Sequence, residues 1–232
     1  MKKKMILSWS GGKDCALARY LIGDSGYYEI VALLTTVTEA YDRVSMHGVR
    51  RLLIERQAES LGIPLETVFI PAEPTNQEYE RRMGNVLSGY KEHNVTAVAF
   101  GDVFLEELRK YREENLAKAG MEAVFPLWGR ETAELTGEFI DMGFEAITTC
   151  VDSRLLDPSF LGKRLDRDLL SRLPSGVDPG GENGEFHSFV CNGPIFARKV
   201  NVSVGEVVLR DSFYFCDLLP EEETDFLSGA IS

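Results

Sequence analysis

No apolar run in this 232-residue chain approaches the roughly 20 residues that a membrane-spanning helix needs, so no helical span is expected. Met1-Lys2-Lys3-Lys4 is basic, but the apolar stretch after it is only a few residues long before a glycine pair. That is too short for the apolar part of a secretion signal, and a cytoplasmic protein is expected. Cysteine is scarce: Cys15, Cys150, Cys191 and Cys216 lie far apart with no Cys-x-x-Cys pair. Neither a zinc knuckle nor a redox motif is supported, and free, buried thiols are expected. Positive charge is also short, with 25 Lys and Arg against 37 Asp and Glu and a net charge of −12. A broad nucleic-acid footprint needs a basic face, so nucleic acid is not an expected partner, although a local basic pocket is compatible with this balance. Internal repeats and low-complexity tracts are absent. The length allows one large domain, or a domain with a small appendage, around a sizeable core.

What is present centres on Ser8-Trp9-Ser10-Gly11-Gly12-Lys13-Asp14-Cys15. Met5-Ile6-Leu7 before it reads as a buried strand, and Ala16 to Leu21 after it has apolar positions at helical spacing. Strand, glycine turn and helix together make an anion site. Gly11 and Gly12 have no Cβ, so the backbone turns sharply and its N–H groups, with those of the helix start, face one point. Lys13 adds a full positive charge, Ser8 and Ser10 add hydroxyls, and Asp14 suits a Mg2+ that neutralises phosphates. The ordinary alternative is a strand-to-helix turn with Asp14 as a cap. Neither a Walker A loop nor a dinucleotide-binding Gly-x-Gly-x-x-Gly is present.

Strands are expected at 30–36, 65–70, 97–100, 122–127 and 145–151, alternating with helices near 47–61, 75–90, 106–119 and 132–142. Thr75-Asn76-Gln77-Glu78 is a capping box. The alternation predicts an α/β, Rossmann-like, mostly parallel sheet with helices on both faces over residues 1–151. Ligands of such sheets bind beyond the carboxyl ends of the strands. The glycine loop, the segment with His47 after the second strand, and Gly101-Asp102 after the fourth all fall at that end. Residues 152–220 read as a smaller α+β region, with loop over 174–183, a strand at 186–190 and a hairpin from Lys199 to Phe215 turning at Gly205-Glu206. Residues 221–232 read as a tail.

Ser10-Gly11-Gly12-Lys13-Asp14 resembles the PP-loop of the ATP pyrophosphatases, with Cys15 where that pattern usually has Ser. Further stretches are similar to one PP-loop family, the diphthine–ammonia ligases and their bacterial relatives. These are His47-Gly48-Val49 with Gln57 to Pro64, Gly101-Asp102 with Lys110, Arg112 and Glu114, Pro126-Leu127-Trp128, Leu161-Gly162-Lys163, and Gly181-Glu182-Asn183-Gly184-Glu185-Phe186. Family members with the diphthamide role usually follow the last motif with Glu-Thr, where this chain has His187-Ser188, a form that looks like the bacterial branch.

The resemblance implies an ATP-dependent amide ligase that forms AMP and pyrophosphate. A carboxylate is adenylated, and ammonia or another amine then displaces AMP. Lys13, Asp14, Glu182 and Glu185 are its implied catalytic groups. Ser8, Ser10, Gly11 to Cys15, His47, Gly101 and Asp102 would hold ATP with Mg2+. Lys110, Arg112, Glu114, Asn183, Gly184 and His187 would face the acceptor. From the residues alone, Asp102 is equally a helix cap, and Lys110, Arg112 and Glu114 read as a solvated helix face. Glu182 and Glu185 read as acids of a surface turn at Asn183-Gly184, and each histidine as structural. The acceptor is expected to be a small-molecule or protein carboxylate, without membrane, and a homodimer is compatible with the sequence. A PP-loop sulfur-transfer or RNA-modifying enzyme, and an ATP-binding regulator without turnover, are the competing classes.

Overall fold

The structure, a computed structural model, describes residues 2–221. Strand β1 (Lys3–Ser8) sends Met5 and Leu7 to one side and Ile6 to the other, each at 0% exposure, because successive strand residues point opposite ways. Those two sides are the two halves of the core. Helices α1 (Lys13–Ser25) and α2 (Arg51–Leu61) cover the first half, and α3 (Asn76–Glu92) and α4 (Glu106–Lys118) cover the second. With β2 (Tyr28–Thr38), β4 (Leu65–Ile70), β5 (Ala97–Ala99) and β6 (Glu122–Val124), β1 forms a parallel sheet in the order β4-β2-β1-β5-β6. The short β3 (Arg43–Val44) runs antiparallel to the end of β2. The expected α/β sheet with helices on both faces is therefore present.

Three expectations are corrected. The strand β7 (Glu145–Asp152), read as the sixth of the parallel sheet, belongs to a second, antiparallel sheet in the order β8-β7-β10-β9, with β8 (Phe186–Asn192), β9 (Val202–Arg210) and β10 (Phe213–Pro220). Alternation of strand and helix does not say which sheet a strand joins. Here α5 (Thr132–Asp141) packs on α1 and does not return the chain to β6. The hairpin turns at Asp211-Ser212, with Asp211 at φ +53°, and not at Gly205-Glu206. Gly205 and Glu206 sit where the register of β9 shifts opposite Asp217, and a Cβ on Gly205 would come within 3.1 Å of the Asp217 carbonyl oxygen. This glycine serves close strand approach, not the turn. Finally, α2 starts at Arg51, not His47. His47 lies in a turn between Met46 and Gly48, both with positive φ (68° and 69°).

Thr75 caps α3 by accepting from the Glu78 N–H at 3.2 Å, while the Glu78 carboxylate turns to Arg81 and Arg82. The 152–185 connection holds a 3-10 turn (Pro158–Phe160) and the short α6 (Arg167–Ser171). Beyond Glu221 the expected tail lies outside the described residues.

Two of the places where the second sheet closes on the first lie beside the glycine loop and the His47 turn. The Val190 N–H of β8 donates to the Gly11 carbonyl at 2.8 Å. Asp217 of β10 accepts from Arg43 at 2.8 Å and from Arg50 at 2.6 Å, and Phe215 packs under Gly48. Strand β8 thus lies against the glycine loop, and β10 against the turn that carries His47.

Candidate active site

The chain leaves β1 at the half-buried Ser8, passes the fully buried Trp9, and turns at Gly11, which has φ +82°. A Cβ there would lie 2.5 Å from Ile54 Cδ1, so both the conformation and the space demand glycine. The Gly12 N–H reaches Ser10 Oγ at 3.4 Å, and the Lys13 N–H reaches Ser188 Oγ of β8 at 3.4 Å. Gly101 is constrained by space alone. A Cβ on it would be 2.8 Å from the Asp14 carbonyl carbon and 2.9 Å from the Cys15 nitrogen. The end of β5 therefore presses directly on the first turn of α1.

Lys13 is 5% exposed and is held between two carboxylates. Its Nζ bonds Asp14 and lies 3.2 Å from Glu182 Oε1. Burial works against the ammonium, but Asp14 and Glu182 outweigh it and raise the Lys13 pKa. Burial, then the Asp14 charge beside it, pushes Glu182 up to about 8 against the pull of Lys13. Glu182 thus comes to the phosphate loop itself, across the gap between the sheets.

Glu185 does not come with it. It is 2% exposed, accepts from the Asp178 N–H and Asn183 Nδ2 at 3.0 Å on Oε1, and accepts from the Asn183 N–H at 2.9 Å on Oε2. Asp178 Oδ2 in turn accepts from Gly180 at 3.1 Å and Glu182 at 3.0 Å. The loop is wound around Glu185 and Asp178, and it presents Glu182. Gly181 and Gly184 take φ +70° and +86°, and a Cβ on Gly181 would meet the Phe186 carbonyl at 2.7 Å. Asn183 stands exposed at the loop tip.

His47 and His187 stack with ring centroids 4.3 Å apart and planes inclined at 39°. A Cβ on Gly12 would be 3.8 Å from His47 Cε1, so the pair borders the loop. Burial, with His187 and Lys13 adding to it, holds His47 well below its ordinary pKa. Burial likewise holds His187 down to about 4, against Asp14. Both rings are neutral at pH 7, and His47 Nδ1 is buried with no partner among the described residues.

Asp102 is engaged by Arg112, whose Nε lies 2.7 Å from Oδ2 while Nη2 donates to Oδ1 at 3.3 Å. The Arg112 guanidinium also covers the Phe100 ring at 4.2 Å. Lys110 and Glu114 are not brought in: they are 3.9 Å apart on the open face of α4, with side chains 77% and 61% exposed. Cys15 is buried, donates its thiol to the Gly12 carbonyl at 3.1 Å, and has its pKa pushed up to about 11 by that burial. It is a thiol and a local hydrogen-bond donor.

The sequence reading gave no role to Gln57, Asp178 or Ser188. Gln57 did carry a signal. It stands four residues from Leu53 and four from Leu61, on the inward stripe of α2, where an amide is out of place unless it has partners. A cavity of about 490 Å³ lined by Lys4, Glu66, Tyr90 and His93 lies at the amino ends of the strands, away from this site.

Among the described residues, no group of three or more His, Cys, Asp or Glu side chains could cage a metal. Mg2+ usually takes only one or two carboxylates plus substrate phosphates. Asp14 and Glu182, both on Lys13, are a donor set of that kind.

Comparison with known proteins matches residues 3–123 to the diphthamide synthase N-terminal domain and residues 131–219 to the diphthamide synthase C-terminal domain. The zebrafish (Danio rerio) diphthine–ammonia ligase is 29% identical over 228 residues, covering 89% of each chain. The human enzyme is 28% identical, covering 89% of this chain and 85% of its own length. The fission yeast protein of the same name is 26% identical over 90% of this chain and 38% of its own length. Among solved structures, the U34-tRNA thiolase of Methanococcus maripaludis superposes with a TM-score of 0.40 at 15% identity, over 61% of this chain and 57% of that one.

Proposed function

Because the chain belongs to the diphthamide synthase family and is an ATP-dependent carbon–nitrogen ligase, we propose that it adenylates a carboxylate and passes the acyl group to ammonia or another amine. The observation that carries this reading is the meeting of Glu182 with Lys13, which joins an acid–base group to a phosphate loop.

A carboxylate oxygen of the acceptor attacks the α phosphorus of ATP, and the bond from that phosphorus to the bridging oxygen breaks as pyrophosphate leaves. Lys13, exchanging Glu182 for phosphate, and the N–H groups at the start of α1 neutralise the charge gathering on the β and γ phosphates. Mg2+, held by Asp14 with Glu182 beside it, would add further charge neutralisation. In the second half the amine attacks the acyl carbon, the bond to AMP breaks, and one proton must leave the nitrogen. Glu182, held near neutrality, has the pKa of an efficient acceptor for that proton. The neutral imidazoles of His47 and His187 wall the loop without adding a positive charge that would repel ammonium. Arg112 holds Asp102 at the end of β5, and Glu185 holds the loop in the shape that delivers Glu182.

A sulfur-transfer reading wants a pair of reactive cysteines and a basic surface, whereas Cys15, Cys150, Cys191 and Cys216 are all buried with the thiolate disfavoured, and the net charge is −12. Incubation with ATP, Mg2+ and a fraction of small carboxylates tests the proposal. AMP and pyrophosphate, stimulated by ammonium, are expected; ADP and inorganic phosphate would contradict it.

A further inference from the structure

We propose that Gln57 is a positioning residue that couples the phosphate loop to strand β8, so that filling the loop tightens the strand and loop that carry the acceptor-side groups. The inference rests on the reading of the loop as the ATP site.

Gln57 has 0% exposure. Its Nε2 donates to the Gly11 carbonyl at 3.0 Å and to the Val190 carbonyl at 2.6 Å, while its Oε1 accepts from Trp9 Nε1 at 2.8 Å. Strand β8 is an edge strand, so the outward backbone groups of Val190 have no strand to pair with. Both are satisfied here: the N–H by Gly11 at 2.8 Å, the carbonyl by Gln57. The loop and one amide side chain together finish the edge of the second sheet.

This arrangement makes the two parts respond to each other. The Gly11 carbonyl receives one donor from β8 and one from α2. An anion bound by the loop N–H groups polarises the same peptide units, and their carbonyls become better acceptors. Fixing the loop also removes freedom that the strand would otherwise share. Two residues before Val190, Ser188 touches the loop, and His187 and Glu182 precede it in the chain. An apolar side chain of similar size would fill the same space but could not bind two carbonyls at once.

Hydrogen exchange on the full chain tests this with α,β-methylene-ATP, which cannot be cleaved between the α and β phosphates. In the unaltered protein the analogue should slow exchange at 186–190 by at least about fivefold. In Gln57→Leu, and in the nearly isosteric Gln57→Glu, which still accepts from Trp9 but cannot donate twice, the analogue should bind within about tenfold of its usual affinity while that slowing falls below about twofold. If Gln57→Leu does not fold, Gln57→Glu carries the comparison. Slowing that persists in a variant, or that is missing from the unaltered protein, overturns the coupling. Failure of the unaltered protein to bind the analogue at all would remove the ATP reading, and the coupling with it.

Discussion

Lys13 Nζ and Glu182 Oε1 stand 3.2 Å apart although 169 residues separate them in the chain. One belongs to the loop after the first strand, the other to the loop before β8. Their ion pair is largely buried, with side chains 6% and 10% exposed, so it is a link between the two sheets and not a surface decoration.

Glu182 occupies the ammonium that the proposed ATP site would use. Above pH 8, where Glu182 is ionised, Glu182→Gln should therefore bind ATP about three- to tenfold more tightly in calorimetry, by removing a competing carboxylate, while AMP formation falls by about 10²-fold or more through loss of the base. Weaker ATP binding by this variant would mean that Glu182 acts mainly through Mg2+.

Lys13→Ala leaves two carboxylates without their cation, and should lose about 3 kcal/mol of stability as well as ATP binding. Adding Glu182→Gln to it should recover much of the stability and none of the binding. Recovery of both, seen by denaturant titration and calorimetry, would take the phosphate contact away from Lys13.

Glu185→Gln keeps the side-chain size but turns an acceptor of three bonds into a partial donor facing N–H groups. The expected cost is about 1–3 kcal/mol of stability, with ATP affinity within a few-fold of wild type. Turnover should fall only as far as the loop loosens, and should respond to temperature. A fully stable variant with abolished turnover would make Glu185 the base instead of Glu182.

The pH dependence separates the groups. The Glu182 pKa is raised to about 8, so the folded state holds its proton between about 4.5 and 8, and this contribution to stability is lost as pH rises through that window. His187 is lowered to about 4, so its contribution is lost in the opposite direction, as pH falls from about 6.5 to 4. The melting temperature of Glu182→Gln minus wild type should grow from pH 5 to pH 8, and that of His187→Asn minus wild type should grow as pH falls through 6 toward 4. A flat difference in either case would contradict the burial described for that group.

The phosphate loop was legible in the sequence because its determinants are local: two glycines, a lysine and an aspartate between a strand and a helix. Gly101 was legible only as a neighbour of Asp102, since its reason, the Asp14 backbone, comes from another element. Glu182 and Glu185 look alike in sequence, three residues apart in one polar loop. Only packing separates them, because the loop spends Glu185 on its own N–H groups. Strand β7 has the composition of a parallel strand, and its place in the second sheet depends on where α5 docks. Lys110 and Glu114 stand exposed on the helix face that periodicity makes solvated.

The most direct measurement follows solvent oxygen. The protein is incubated with ATP, Mg2+, ammonium and a fraction of small carboxylates in water enriched in oxygen-18, and the AMP is analysed by mass spectrometry. When a carboxylate attacks the α phosphorus, the new oxygen on AMP comes from that carboxylate, and later attack by amine or water falls on the acyl carbon. AMP free of the solvent label is therefore expected. AMP carrying one solvent oxygen would mean that water attacks the phosphorus directly, and carboxylate adenylation would be wrong.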